Sequence, residues 1–156
     1  MASNKSSALK IGDLIELTIE KVAHGGHFIA RHEGAVIFVR HAIPGEKCTI
    51  EITSTGSSFN RADVVAVTEP SEFRVEPPCK YSHRTGCGGC DFQHIDSAHQ
   101  RTLKSHVITE QFSRIAKKEI SVEVEEVGQS LGWRTRAIAT TNRNGKLGFF
   151  KSRSHS

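Results

Sequence analysis

Between Ile11 and Val67 the sequence breaks into short runs in which apolar residues recur at every second position, and this period of two dominates what the first half can become. Within Ile11 to Val22, Ile15, Leu17 and Ile19 alternate with Glu16, Thr18 and Glu20, so one face meets a core and the other meets water. Phe28 to Arg31 precedes a Glu33-Gly34 turn, Ala35 to Arg40 opens with the apolar run AVIFV, Lys47 to Thr53 alternates again, and Ala62 to Val67 closes the series. Five such strands in under 60 residues, punctuated by Gly25-Gly26, Glu33-Gly34, Pro44-Gly45 and the loop Ser54 to Asn60, predict a small β-barrel. A closed five-stranded barrel of OB type is the expected solution, because it hides edges that a short open sheet would expose.

Three prolines between Glu69 and Pro78 cannot sit in a paired central strand, so they mark an internal boundary. Beyond a cysteine loop, Leu103, Val107, Ile108, Phe112 and Ile115 fall at helix spacing over Ser97 to Lys117. Ser97 is the expected N-cap, and Lys117-Lys118 put positive charge where the helix dipole favours it. Ser121 to Val127 and Trp133 to Thr141 read as strands, and Asn144-Gly145 as a tight hairpin turn into Lys146 to Phe150. The expected fold is therefore α+β, mainly β with one long helix. Its predicted organisation is a disordered tail over 1–10, the barrel over 11–68, a linker over 69–78, a metal loop over 79–95, the helix over 96–118 and the start of a β-rich domain over 119–156. A hairpin presented in this way needs a layer to cover it, so the second unit reads as incomplete.

The chain has 156 residues, 37% apolar and 24% charged, with 13 Gly and 4 Pro. That is globular, and it excludes collagen-like, coiled-coil and wholly disordered classes. No window approaches the ~20 apolar residues of a membrane span, and the polar start has no signal-peptide core, so a soluble, cytoplasmic protein is expected. The net charge of +4 is only mildly basic, but its distribution is uneven. From Leu131 to Ser156, Arg134, Arg136, Arg143, Lys146, Lys151 and Arg153 stand without a single Asp or Glu, a footprint for a polyanion. The same block would equally serve as a solvated tail over Lys151 to Ser156.

Three of the four cysteines form C-x7-C-x2-C, with Cys79, Cys87 and Cys90 closing on Gly88-Gly89. Thiols at that density without a signal peptide point to a metal before a disulfide. An iron–sulfur cluster wants four thiolates, whereas Cys79, Cys87, Cys90 and His94 would satisfy a Cys3His zinc site, and spacing alone leaves both open. A redox CxxC would want a thioredoxin-like βαβ setting, which the sequence lacks. Cys48 shares parity with Ile50 and Ile52 and is expected in the barrel core as a small hydrophobe.

Gly25-Gly26, Ile37-Phe38-Val39 and Ala42-Ile43-Pro44-Gly45-Glu46, followed by Pro78-Cys79 and Cys87-Gly88-Gly89-Cys90-Asp91-Phe92-Gln93-His94, together resemble the N-terminal part of the RNA (uracil-5-)-methyltransferases. Gln100, Lys104 and Trp133-Arg134-Thr135-Arg136 extend the likeness, which covers roughly residues 11 to 150. The resemblance implies that 11–68 is a TRAM domain that binds RNA, ribosomal or transfer. It also implies that Cys79, Cys87 and Cys90 are three of four ligands of a structural 4Fe-4S cluster. Methyl transfer from S-adenosylmethionine belongs, in that family, to a later domain bearing a nucleophilic cysteine and a general base. Those elements and the fourth cluster cysteine are absent here, and the Cys79 to Cys87 spacing is longer than the family's commonest form. A fragment of a radical S-adenosylmethionine methylthiotransferase fails on spacing and on domain order. A stand-alone RNA-binding module with structural zinc is the alternative reading.

Single-stranded RNA is held by cationic grooves and aromatic faces. The expected contacts in the barrel are Arg31 and Arg40, with His24 and His27 beside Gly25-Gly26. In the second unit they are Arg134 and Arg136 on one face of a strand, and Arg143 and Lys146 about the hairpin turn. Trp133, of opposite parity, is expected in the core, with Phe92 and Phe149 against the loop and helix. A monomer is expected.

Overall fold

The computed structural model describes residues 9–152. Residues 1–8 of the expected tail and Arg153 of the basic block lie outside the described residues. The chain divides into two compact units, Met1–Glu72 and Phe73–Ser156.

The first unit is the expected barrel. Its strands are β1 (Leu14–Thr18), β2 (Lys21–Ala23), β3 (His27–His32), β4 (Ala35–Arg40), β5 (Lys47–Ser54) and β6 (Asn60–Glu69). They form one sheet in the order β1-β5-β6-β4-β3-β2, all pairs antiparallel except β4 with β6. Six strands replace the expected five because the first run is broken at Ile19-Glu20. There the backbone changes partners: Ile19 N donates to Glu46 O at 2.9 Å and Glu20 N to Ile29 O at 2.8 Å. The two edges of the sheet are thus consecutive in sequence, and the sheet curls so that one broken arm serves both.

Alternation sorts the residues as predicted. Ile19, Phe28, Ala30, Ile37, Val39, Ile43, Cys48, Ile50, Ile52 and Ala62 are buried in the core, Cys48 on the same face of β5 as Ile50 and Ile52. The outward residues of β5 carry charge instead: Lys47 Nζ lies 2.9 Å from Glu16 across the sheet. The Glu16 carboxylate raises the Lys47 pKa above its ordinary value. Glu46 and Asp63 are carboxylates buried against the rule that such groups stay outside. Glu46, fully buried, accepts from Ile43 N at 2.8 Å and from Ser71 N at 3.1 Å.

In the second unit, residues 73–75 run antiparallel to 94–96, with Val75 N donating to His94 O at 3.0 Å and Asp96 N to Phe73 O at 2.9 Å. Helix α1 (Ser97–Gln111) follows and ends in a π-helical turn, Phe112–Ala116. The N-cap is Asp96, not Ser97: its carboxylate accepts from Ala98 N at 3.0 Å and His99 N at 3.1 Å. A carboxylate is the stronger acceptor, and charge at this end also suits the dipole. Leu103 is the buried residue of the helix, while Phe112 and Ile115 are exposed. No helix among the described residues is long and apolar enough to cross a membrane.

The strands expected over 121–127 and 133–141 shrink. Residues 121–127 form no described strand, although Ile120, Val122 and Val124 remain less exposed than their neighbours. Val124 N reaches Ser105 Oγ at 3.1 Å, and Glu126 pairs with Arg101 at 2.8 Å. The hairpin retains only β7 (Thr140–Thr141) and β8 (Leu147–Gly148) around Asn144-Gly145.

Candidate nucleic-acid interface and cysteine loop

Because side chains alternate across a strand, the residues between the buried ones of β2, β3, β4 and β6 form the barrel's outer face. Lys21, Ile29, Phe38 and Arg61 are successive register partners there. Phe59, from the loop before β6, meets Phe38 edge-on at 5.1 Å and 87°. Arg61 lies over the Phe59 ring, 5.4 Å from its centroid, and His27 meets Phe38 at 6.0 Å. His27 Nδ1 is 2.9 Å from Gly25 O, so Nδ1 carries the proton toward that carbonyl and Nε2 accepts from Arg61 at 3.2 Å. The face therefore joins cations to aromatic surface, the combination that holds single-stranded nucleic acid.

Of the cations expected here, Arg31 is exposed and pairs with Glu20 at the surface, a contact easily exchanged for a phosphate. Arg40 is placed differently. Its Nε and Nη2 bond Asp63 at 2.6 and 2.7 Å, with the two side chains only 13% and 7% exposed. This fork pairs the register neighbours Arg40 and Asp63 across the parallel β4–β6 pair, so Arg40 is an internal ion-pair partner rather than a free surface cation. Phe38, Phe59 and Arg61, absent from the expected contacts, come together through that parallel pairing. The one sequence signal was an aromatic and an arginine flanking Asn60.

Arg134, Arg136, Arg143 and Lys146 are all exposed. They do not form the expected stripe, because Arg134 and Arg136 lie before β7 and not in a strand. Trp133 is 64% exposed, contrary to its expected place in the core, and Arg134 lies over its ring at 5.1 Å. Phe149 is likewise exposed rather than packed, whereas Phe92 is half-buried. Strand parity places a side chain inside only where a layer covers that face.

The cysteine loop is held from three sides. Cys79 N donates to Gln93 Oε1 at 3.2 Å, and Cys87 N to Tyr81 O at 2.9 Å. From the helix, Gln100 Nε2 donates to Phe92 O at 3.1 Å and Ile95 O at 2.9 Å, a strut the sequence reading did not foresee. From the hairpin, Gly88 N donates to Phe150 O at 3.1 Å and Ser152 N to Gly86 O at 2.9 Å. A Cβ on Gly88 would meet Ser152 Cα at 2.9 Å, so glycine is required there by proximity. The three loop cysteines are free thiols, and Gly89 N points at Cys87 Sγ at 3.4 Å. These donors are soft-metal ligands in kind. Among the described residues, no three His, Cys, Asp or Glu side chains are gathered into a group that could hold a metal ion. His94 is buried.

Residues 8–65 match the TRAM domain family model. An uncharacterized RNA methyltransferase of Streptomyces coelicolor is 39% identical over 164 residues, 93% of this chain and 35% of that one. One of Streptomyces avermitilis is 40% identical over 93% of this chain and 37% of its own length. One of Bdellovibrio bacteriovorus is 39% identical over the same shares. Among solved structures, a conserved protein of Methanococcus maripaludis is 33% identical and covers 42% of this chain and all of its own, at a TM-score of 0.36. The chain spans about a third of the length of the curated relatives it matches. It thus carries a TRAM domain and, over nearly its whole length, is a relative of proteins named RNA methyltransferases.

Proposed function

We propose that this chain is the RNA-binding portion of an S-adenosylmethionine-dependent RNA (uracil-5-)-methyltransferase, acting as a cytoplasmic monomer on ribosomal or transfer RNA. The observation that carries the reading is the match to the TRAM domain over 8–65, on a barrel with cations and aromatic rings on one outward face. The basic residues Arg134, Arg136, Arg143 and Lys146 add positive charge from the second unit. Methyl transfer itself, which needs a nucleophilic thiolate and a held methyl donor, is proposed for a longer protein, since this chain spans about a third of the length of the relatives it matches. Cys79, Cys87 and Cys90 are proposed as ligands of a structural 4Fe-4S cluster, with zinc as the alternative. Their spacing and the Gly89 N–H directed at Cys87 support a thiolate role, and no step of RNA recognition here runs through the metal.

The test is an RNA-binding titration of the purified chain across salt concentrations. Binding should weaken steeply as salt rises, with a log–log slope of about −0.7 for each phosphate met on a single strand. Failure to bind at low salt, or binding indifferent to salt, would overturn the reading. A zinc-loaded chain that binds RNA as a complete module would favour the alternative.

A further inference from the structure

The outer face of the barrel carries a cluster with a more particular use than charge. Counting β1 and β2 as two halves of one arm, β3 and β4 are the second and third strands of an OB-type barrel. Ligands of such barrels lie on that face, between the first loop and the loop before the last strand. Here those loops are residues 24–26 and 55–59, and they deliver His27 and Phe59 to the same place. Phe59 would be accounted for by packing alone if it were covered. Instead it is 40% exposed, beside an exposed Arg61, at the end of a loop whose other residues, Thr55-Gly56-Ser57-Ser58, have no bulk to screen it. Its ring is nevertheless held in place, edge-on against Phe38, with the Arg61 guanidinium over it and His27 bonded to that guanidinium. An aromatic surface that is fixed and open, next to a cation, lowers the ordering cost of a flat ligand that stacks and carries a negative group.

We propose that Phe59, supported by Phe38 and Arg61, is a stacking site for one unpaired base of single-stranded RNA, with Arg61 meeting the adjoining phosphate. The proposal rests on the RNA-binding reading above and adds to it a preference for single strands. A duplex keeps its bases stacked on one another and offers this ring no free face.

The whole chain is titrated with a short oligouridylate and with an RNA duplex, using the wild type, Phe59→Leu and Phe59→Trp. Leucine retains apolar contact for the loop but has no ring. It should weaken oligouridylate binding about ten-fold, within the range of one lost stack, and leave duplex binding nearly unchanged. Tryptophan should preserve or strengthen oligouridylate binding. Equal loss on both RNAs, or no loss, in a folded variant overturns the stacking site while leaving salt-dependent RNA binding intact. A wild type that binds neither RNA overturns both readings. Should Phe59→Leu unfold, intermolecular NOEs between the wild-type Phe59 ring and a base of bound oligouridylate decide: their presence supports the site, and their absence at saturation overturns it.

Discussion

At the scale of single residues, the turn between β3 and β4 shows how local rules and their exceptions coexist. Glu33 and Gly34 both have positive φ, 47° and 83°, the pattern of a type I′ hairpin turn. Glycine suits it and glutamate does not, because a Cβ crowds the backbone in the left-handed region. Glu33→Asn should stabilise the barrel by about 1 kcal/mol, raising its melting temperature by roughly 5 °C. A thermal melt checks this, and an unchanged or lower midpoint would show that the Glu33 side chain contributes more than its backbone costs. Single positions were legible in the sequence wherever burial follows from near neighbours. Cys48 was placed in the core by sharing parity with Ile50 and Ile52, and it is fully buried. Arg40 was misplaced because its partner, Asp63, is brought to it by a parallel strand pairing that no local pattern announces. Phe59 and Arg61 escaped notice for the same reason.

At the scale of elements, β3, β4 and β5 were read to within a residue, since alternation and turn signals lie within each strand. What alternation does not encode is a change of partner, and the break at Ile19-Glu20 is such a change. The second unit follows the opposite logic. Residues 120–124 keep the alternating exposure expected of a strand, with Val124 bonded to Ser105 of α1, yet form no ladder, and 133–139 is left exposed. The cysteine loop is the element whose chemistry can be read out directly. Anaerobic purification followed by iron, sulfide and zinc analysis should give a broad visible absorption and about four irons per chain if the loop rearranges around a cluster. About one zinc in a colourless protein would favour the alternative, and metal-free protein would overturn the metal proposal for this chain.

At the scale of the whole molecule, the two units differ in how completely they cover their apolar residues. The barrel encloses a core in which many side chains are wholly inaccessible. The second unit leaves Val127, Leu131, Trp133, Ile138, Leu147 and Phe149 exposed, Ile138 at 94%. Exposed apolar surface on this scale attracts other apolar surface. The purified chain should therefore enhance the fluorescence of a hydrophobic dye under native conditions, and a chain ending at Glu72 should not. Equal dye response from both would show that these side chains find cover in solution.

The backbone bonds from Gly86 and Gly88 to residues 150–152 also set an order of events in time. The barrel is complete once β6 has been made, but the cysteine loop is not closed until the chain has grown some way past it. At a synthesis rate of about 10 residues per second, Cys79, Cys87 and Cys90 spend several seconds on the nascent chain before Phe150 and Ser152 arrive. During that interval the loop lacks the backbone bonds that residues 150–152 supply, so oxidants or metal donors meet its thiols before the last of its three supports is in place.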